Sequence, residues 1–173
     1  MSDVPAIAEL RERLGRLGAG FQRREVLPFG VAAIDERLAG GGLRLDALHE
    51  VSAERAGVAD ECAATLFVAG VAARAWGPVL WVVRRRDLFA PGLQGAGLAA
   101  HRILHAEAGS DAELVALMEE GLRHRGLGAV IGEVGRCGPA ATRRLQLAAE
   151  GGRTVALLMR PPRGGADPRN APS

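Results

Sequence analysis

Residues 47–57, Ala47-Leu48-His49-Glu50-Val51-Ser52-Ala53-Glu54-Arg55-Ala56-Gly57, decide the fold. They read as a buried strand running into a loop, and a long apolar helix follows from about Asp60. Strand, loop and helix in that order form the frame of a phosphate-cradling loop. In such a loop, glycines let backbone N–H groups approach the phosphates, while a lysine and a hydroxyl hold nucleotide and magnesium. This loop has one glycine, no lysine and no Lys-Ser or Lys-Thr pair. The whole chain lacks lysine, so all 22 basic residues are arginine. Glu54 adds negative charge where a triphosphate would sit. The degenerate loop, with Ser52, Glu54, Arg55 and Gly57 as its marked residues, keeps the frame without the chemistry. It predicts a scaffold rather than a nucleotide-driven motor, with no bound cofactor.

Working outward, strands and helices alternate. Before the loop, residues 27–43 read as a turn, a short helix and a glycine stop at Gly40-Gly41-Gly42. The first strand covers residues 47–52, and the long helix runs from Asp60 to about Trp76, with Leu66, Phe67, Gly70 and Ala73 expected on its apolar face. Gly77-Pro78 ends it. Residues 79–83, Val-Leu-Trp-Val-Val, form an apolar run expected of a strand covered on both faces. A short strand is expected near residues 102–106. Ser110-Asp111-Ala112-Glu113 is a capping box opening a helix with Leu114, Leu117, Met118 and Leu122 on one face. A strand over 129–134, a helix over 139–150 and a strand over 154–159 complete the core. The alternation predicts an α/β fold of three layers, helices on both faces of a largely parallel sheet.

Outside this core, from residue 26 to residue 160, lie two further segments. Residues 1–25 comprise a helical arm and a Gly-Ala-Gly linker; Ile7, Leu10, Leu14 and Leu17 recur at spacings of three, four and three, with Arg11, Arg13 and Arg16 pointing elsewhere. The stripe fits a helix folded back on its own domain, and it equally fits an arm docking on a neighbour. The expectation taken forward is a homo-oligomer joined through this helix. Residues 161–173 are rich in Pro, Gly and Arg and are expected to be a disordered tail.

A length of 173 residues, 48% hydrophobic and 24% charged, suits one domain with a full core. A net charge of +2 does not by itself make a strongly basic nucleic-acid surface. No apolar run approaches a membrane span, and no signal-peptide pattern opens the chain. Cys62 and Cys137 lie far apart without metal spacing, which predicts a reduced cytoplasmic setting and no membrane contact. His101 and His105 flank an expected strand, which breaks the helical face a metal pair needs, so no metal site is expected. No catalytic constellation stands out.

The stretch Gly30…Ile34-Asp35…Leu38…Gly40-Gly41-Gly42-Leu43…Leu48-His49-Glu50-Val51 resembles the lead-in to the nucleotide loop of RecA. More closely, the Leu-Pro-Phe-Gly opening at residues 27–30, the degenerate loop, and Trp81-Val82-Val83-Arg84-Arg85-Arg86-Asp87-Leu88-Phe89-Ala90-Pro91 resemble the ImuA family. That family comprises RecA-like accessory factors of a bacterial damage-inducible mutagenesis cassette. The resemblance implies a RecA-like core. It also implies a non-catalytic adaptor in SOS-induced translesion synthesis, bound to an ImuB-type polymerase-like protein and to RecA, and through ImuB to an error-prone DnaE-type polymerase. The expected partner surfaces are the N-terminal stripe and the edge made by Arg84, Arg85, Arg86 and Phe89. Where RecA places a catalytic glutamate past its second strand, this chain has Arg84-Arg85-Arg86, and a permanently protonated guanidinium cannot act as a base. Glu133 stands where a Walker B aspartate would help hold magnesium, and reads as a relic in a structural role. The first DNA-binding loop of RecA shrinks to Gly135-Arg136-Cys137-Gly138-Pro139, and the second would fall beyond Arg160. DNA binding is therefore expected to be weak and non-specific at most. The alternative within the same fold is a SulA-type cell-division inhibitor that binds FtsZ.

Overall fold

The computed structural model describes residues 25–85, 87–150 and 152–161. The arm stripe Ile7, Leu10, Leu14 and Leu17, together with Arg86 and nearly all of the tail, lies outside the described residues. The chain enters through β1 (Val26–Leu27), makes the short helix α1 (Ala32–Asp35), and returns as β2 (Leu43–Arg44), antiparallel to β1. Asp35 shapes this entry by accepting the backbone N–H groups of Phe29 and Gly30 at 2.7 and 2.8 Å. Gly42 is obligatory there, because a Cβ would come within 2.5 Å of the Leu27 carbonyl oxygen.

The core follows as β3 (Leu48–Ser52), α2 (Val58–Arg74), β4 (Val79–Val83), α3 (Ala90–Gly95), a 3-10 turn (Ala100–Arg102), β5 (Ile103–Glu107), α4 (Asp111–Arg123), β6 (Ala129–Glu133), α5 (Pro139–Ala149) and β7 (Val155–Arg160). The five long strands form one parallel sheet in the order β3-β7-β6-β4-β5. Alternate residues of each strand feed two cores. On one face Trp81, Ile131 and Leu157 pack against Val68 and Ala72 of α2 and Leu93 of α3. On the other, Val82, Val130 and Leu158 pack against Leu114, Met118 and Leu122 of α4 and Leu145 of α5. This is the expected α/β/α sandwich around a parallel sheet. The central strands are buried along nearly their whole length, as strands covered on both faces must be.

The capping box forms as read: Ser110 accepts the Glu113 N–H, while the Glu113 carboxylate takes the N–H of Gly109, one residue before the cap. Other expectations shift. Helix α2 starts at Val58 and ends at Arg74, two residues short of Trp76. The guanidinium of Arg102 explains the end: it reaches the carbonyls of Ala73, Ala75 and Gly77, where the helix would otherwise leave acceptors unsatisfied. The expected buried face of α2 is also corrected. Val68, Ala69, Val71 and Ala72 are buried, whereas Leu66 and Phe67 are 43% and 47% exposed. The helix is apolar nearly all round, so spacing alone does not choose a face; the small residues win because they let the helix lie close on the sheet. The strand expected over 102–106 lies at Ile103–Glu107, Arg102 having been taken by the 3-10 turn.

Candidate functional site

The carboxyl ends of parallel strands are where open α/β sheets bind ligands. Here the ends of β3, β6 and β7, the first two turns of α2 and the chain between β4 and α3 enclose a groove of about 350 Å³. Its walls are Val58, Cys62, Leu66 and Phe89, with Met159 and Val134 also lining it. Val58 is 79% and Phe89 72% exposed, so large apolar side chains face solvent at the place a nucleotide would occupy.

The loop between β3 and α2 runs directly into the start of the helix. Gly57 caps α2 without a side-chain hydrogen bond, and the first turn carries Asp60 and Glu61. Those carboxylates complement the positive end of the helix dipole. Arg55, the cation nearest in sequence to the loop glycine, pairs with Asp60 at 3.2 Å. Ser52 and Glu54 are exposed.

Glu133 at the end of β6 accepts a hydrogen bond from the Trp81 indole N–H at 3.2 Å. Trp81 is fully buried, and a buried indole needs such an acceptor. The bond gives Glu133 a structural task at the edge of the core. Among the described residues, no group of three or more His, Cys, Asp or Glu side chains is placed to hold a metal ion. No helix among them is long and apolar enough to cross a membrane.

Asp111 is a functional-looking residue that sequence reasoning passed over. Its carboxylate takes the Arg84 guanidinium at 3.0 Å and the backbone N–H groups of Gly135 and Arg136 at 3.4 and 2.8 Å. Arg84 also donates to the Gly109 carbonyl at 2.9 Å. One carboxylate thus ties the exit of β4 and the short loop after β6 to the start of α4. The sequence signal was available: Asp111 is the first-turn acid of the capping box, and an acid there is free to bond outward.

The chain is 43% identical over 154 residues to Protein ImuA of Caulobacter vibrioides, in both strain NA1000 / CB15N and strain ATCC 19089 / CIP 103742 / CB 15. The match takes in 83% of this chain. The matched stretch belongs to the ImuA family. The chain spans 62% of the length of these curated ImuA relatives. No family model matches it. Among solved structures, the crystal structure of SulA from Pseudomonas aeruginosa superposes with a TM-score of 0.54 at 25% identity, covering 66% of this chain and 97% of SulA. The ImuA-type core therefore has the RecA-like α/β fold that SulA shares.

Within this ImuA-type core the residues expected to form a partner edge split. Arg84 is tied to Asp111 and Gly109, Arg85 is exposed, and Phe89 stands on the lip of the groove. The fold also places a carboxylate that no motif marked: Glu119 of α4 is 7% exposed and pairs with Arg123 on its own helix and Arg144 on α5. Arg44 pairs with Asp46 at 2.9 Å, and that side-chain hydrogen bond raises the guanidinium pKa further.

Proposed function

We propose that this ImuA-type chain is a non-catalytic adaptor in DNA-damage-induced mutagenic translesion synthesis, acting by binding an ImuB-type polymerase-like protein and RecA. One observation carries the reading. At the strand ends where a RecA-type ATPase would hold its nucleotide, this core has an acidic first helical turn and a groove walled by Val58, Leu66 and Phe89. Apolar and aromatic side chains around a concave site suit recognition of a protein partner, not of a triphosphate. The test is capture on the immobilised full chain of purified ImuB-type protein, RecA and FtsZ, each presented separately. Retention of the ImuB-type protein supports the reading, and its loss on Phe89→Asp ties binding to the groove. Failure to retain either the ImuB-type protein or RecA would overturn it.

A second reading is a SulA-type cell-division inhibitor. It is favoured by the superposition over nearly the whole of SulA. Retention of FtsZ alone in the same experiment would put this reading in place of the first.

A further inference from the structure

We infer that the amino end of the sheet, opposite the groove, carries a contact for single-stranded DNA. Trp76 is its stacking platform, and Arg123, Arg125 and Arg144 are its phosphate ligands. The inference rests on the reading above only for the choice of DNA over RNA. The contact lies away from the groove and does not depend on which protein the groove binds.

Trp76 stands at the turn between α2 and β4 and is 94% exposed. Packing does not account for an indole there, because a tryptophan ordinarily contributes through the area it buries. The turn that carries it is tied down on both sides. Arg102 donates to the carbonyls of Ala75 and Gly77, and the Pro78 carbonyl accepts the Gly128 N–H at 2.8 Å. A Cβ on Gly128 would come within 2.3 Å of the Trp76 carbonyl oxygen, so the glycine is what lets this turn meet the one before β6. A bare indole is thus held on a fixed backbone.

The neighbouring turn leads into a positive hollow. It joins α4 to β6, and Arg125 within it has a left-handed backbone at φ 28°, which is rare for a residue with a long side chain. Arg125 lines a hollow of about 400 Å³ together with Arg123 of α4 and Arg144 of α5. Two acids line it as well, and both are engaged. Glu119 is shared between Arg123 and Arg144, and Glu150 accepts the Gln146 amide at 3.1 Å. A guanidinium has five N–H donors, so Arg123 and Arg144 keep donors to spare after binding Glu119. The Arg125 side chain pairs with no other described residue.

An exposed aromatic ring beside a positive hollow is how proteins hold single strands without reading their sequence. Bases stack on the ring while the phosphates follow the cations. An interface for a protein would look different, because the core of such an interface is depleted in charge. Trp76 is the one large apolar side chain exposed among residues 75–78, 99–102 and 124–128, which meet at this end of the sheet. Arg74, Pro78 and Arg125 around it are exposed too. Duplex DNA keeps its base faces inside the stack and offers Trp76 little to bind.

Fluorescence provides the readout. The chain has two tryptophans, and Trp81 is fully buried, so quenching on contact reports Trp76. The full chain is titrated at low salt with labelled oligo(dT) of about 12 nucleotides, within the site sizes of single-strand binders. Label anisotropy and tryptophan emission are expected to share one midpoint, with a salt slope of about −2, as for three phosphates on a single strand. Trp76→Ala is expected to bind about tenfold more weakly, whereas Trp76→Phe keeps a ring and most of the affinity. Arg125→Ala is expected to make the slope shallower by about 0.7. Circular dichroism checks that each variant is folded. Anisotropy that rises without quenching, or a folded Trp76→Ala that binds like the parent, would place the DNA elsewhere and overturn the proposal. Absence of binding at low salt would overturn it too, as would equal binding and quenching by the same strand paired with oligo(dA). An oligo(U) that binds more tightly than oligo(dT) would overturn the choice of DNA. Quenching and displacement by polyglutamate as strong as by oligo(dT) would give the site to an acidic protein segment instead.

Discussion

Gly132→Ala is the sharpest probe of how α4 holds the end of β6 at the groove. Gly132 lies in the middle of the sheet and is fully covered by α4. A Cβ built there would stand 2.2 Å from the Met118 sulfur and 2.9 Å from a Leu114 methyl carbon. Both neighbours are completely buried, so neither side chain can swing into solvent. The helix must move outward or Met118 must leave its rotamer, and overpacking of this kind costs about 1–3 kcal/mol. Met118→Ala alone opens a cavity and costs about 2–5 kcal/mol. Together the two changes partly cancel, because the new methyl occupies space the methionine vacated. The double variant is therefore expected to be more stable than the sum of the single losses by about 1–2 kcal/mol, a coupling typical of residues in contact. Urea unfolding followed by circular dichroism measures all four proteins. A stability change of 1 kcal/mol moves the thermal midpoint by roughly 2–4 °C in a chain of this size, so the coupling also shows in melting curves. Strict additivity within about 0.3–0.5 kcal/mol would show that Met118 does not confront Gly132, and the packing of α4 on β6 described above would be wrong.

Calorimetry with ATP and magnesium is expected to register no binding, since Asp60 and Glu61 already occupy the helix dipole and the loop lacks lysine; a low-micromolar dissociation constant, about −8 kcal/mol, would contradict this. Arg102→Lys is expected to lose about 1–3 kcal/mol in urea unfolding, nearly as much as Arg102→Ala, because a single ammonium cannot reproduce the guanidinium fork across the carbonyls ending α2; a fully stable lysine variant would refute that role. Glu119→Gln should destabilise by about 1 kcal/mol or more, whereas Glu119→Leu should be close to neutral, since its arginine partners are mostly exposed and rehydrate when released; a leucine variant as damaged as a deleted core residue would refute it. Single-stranded DNA is expected to bind weakly with a salt slope of only about one to three phosphates by fluorescence anisotropy, with Arg84 already held by Asp111; tight binding at physiological salt would overturn this.

Local patterns in the chain were sufficient for part of this protein. Four residues, Ser110 to Glu113, announced a helix start that forms almost as written, because capping joins neighbours in sequence. The apolar run of β4 and the alternation of strands with helices specified a covered parallel sheet, since side-chain periodicity depends only on backbone geometry. Residues 52–57 hold one glycine and no lysine, a feature legible from composition alone. What remained open depends on contacts between residues far apart. The β1–β2 pair is only two residues long on each side and is held by pairing across the chain, so no run of residues marks it. Helix α3 hides behind Pro91, Gly92 and Gly95, poor helix formers that are tolerated because Leu93 is anchored in the core. The face of α2 was undecidable from a helix apolar on nearly every side. Only its contact with the sheet buried Val68 and Ala72 and left Leu66 at the surface, and that choice made the groove. Likewise Glu133 could be seen as a carboxylate in the Walker B position, but its partner Trp81 is 52 residues away in sequence and becomes its neighbour only because β4 and β6 lie side by side in the sheet.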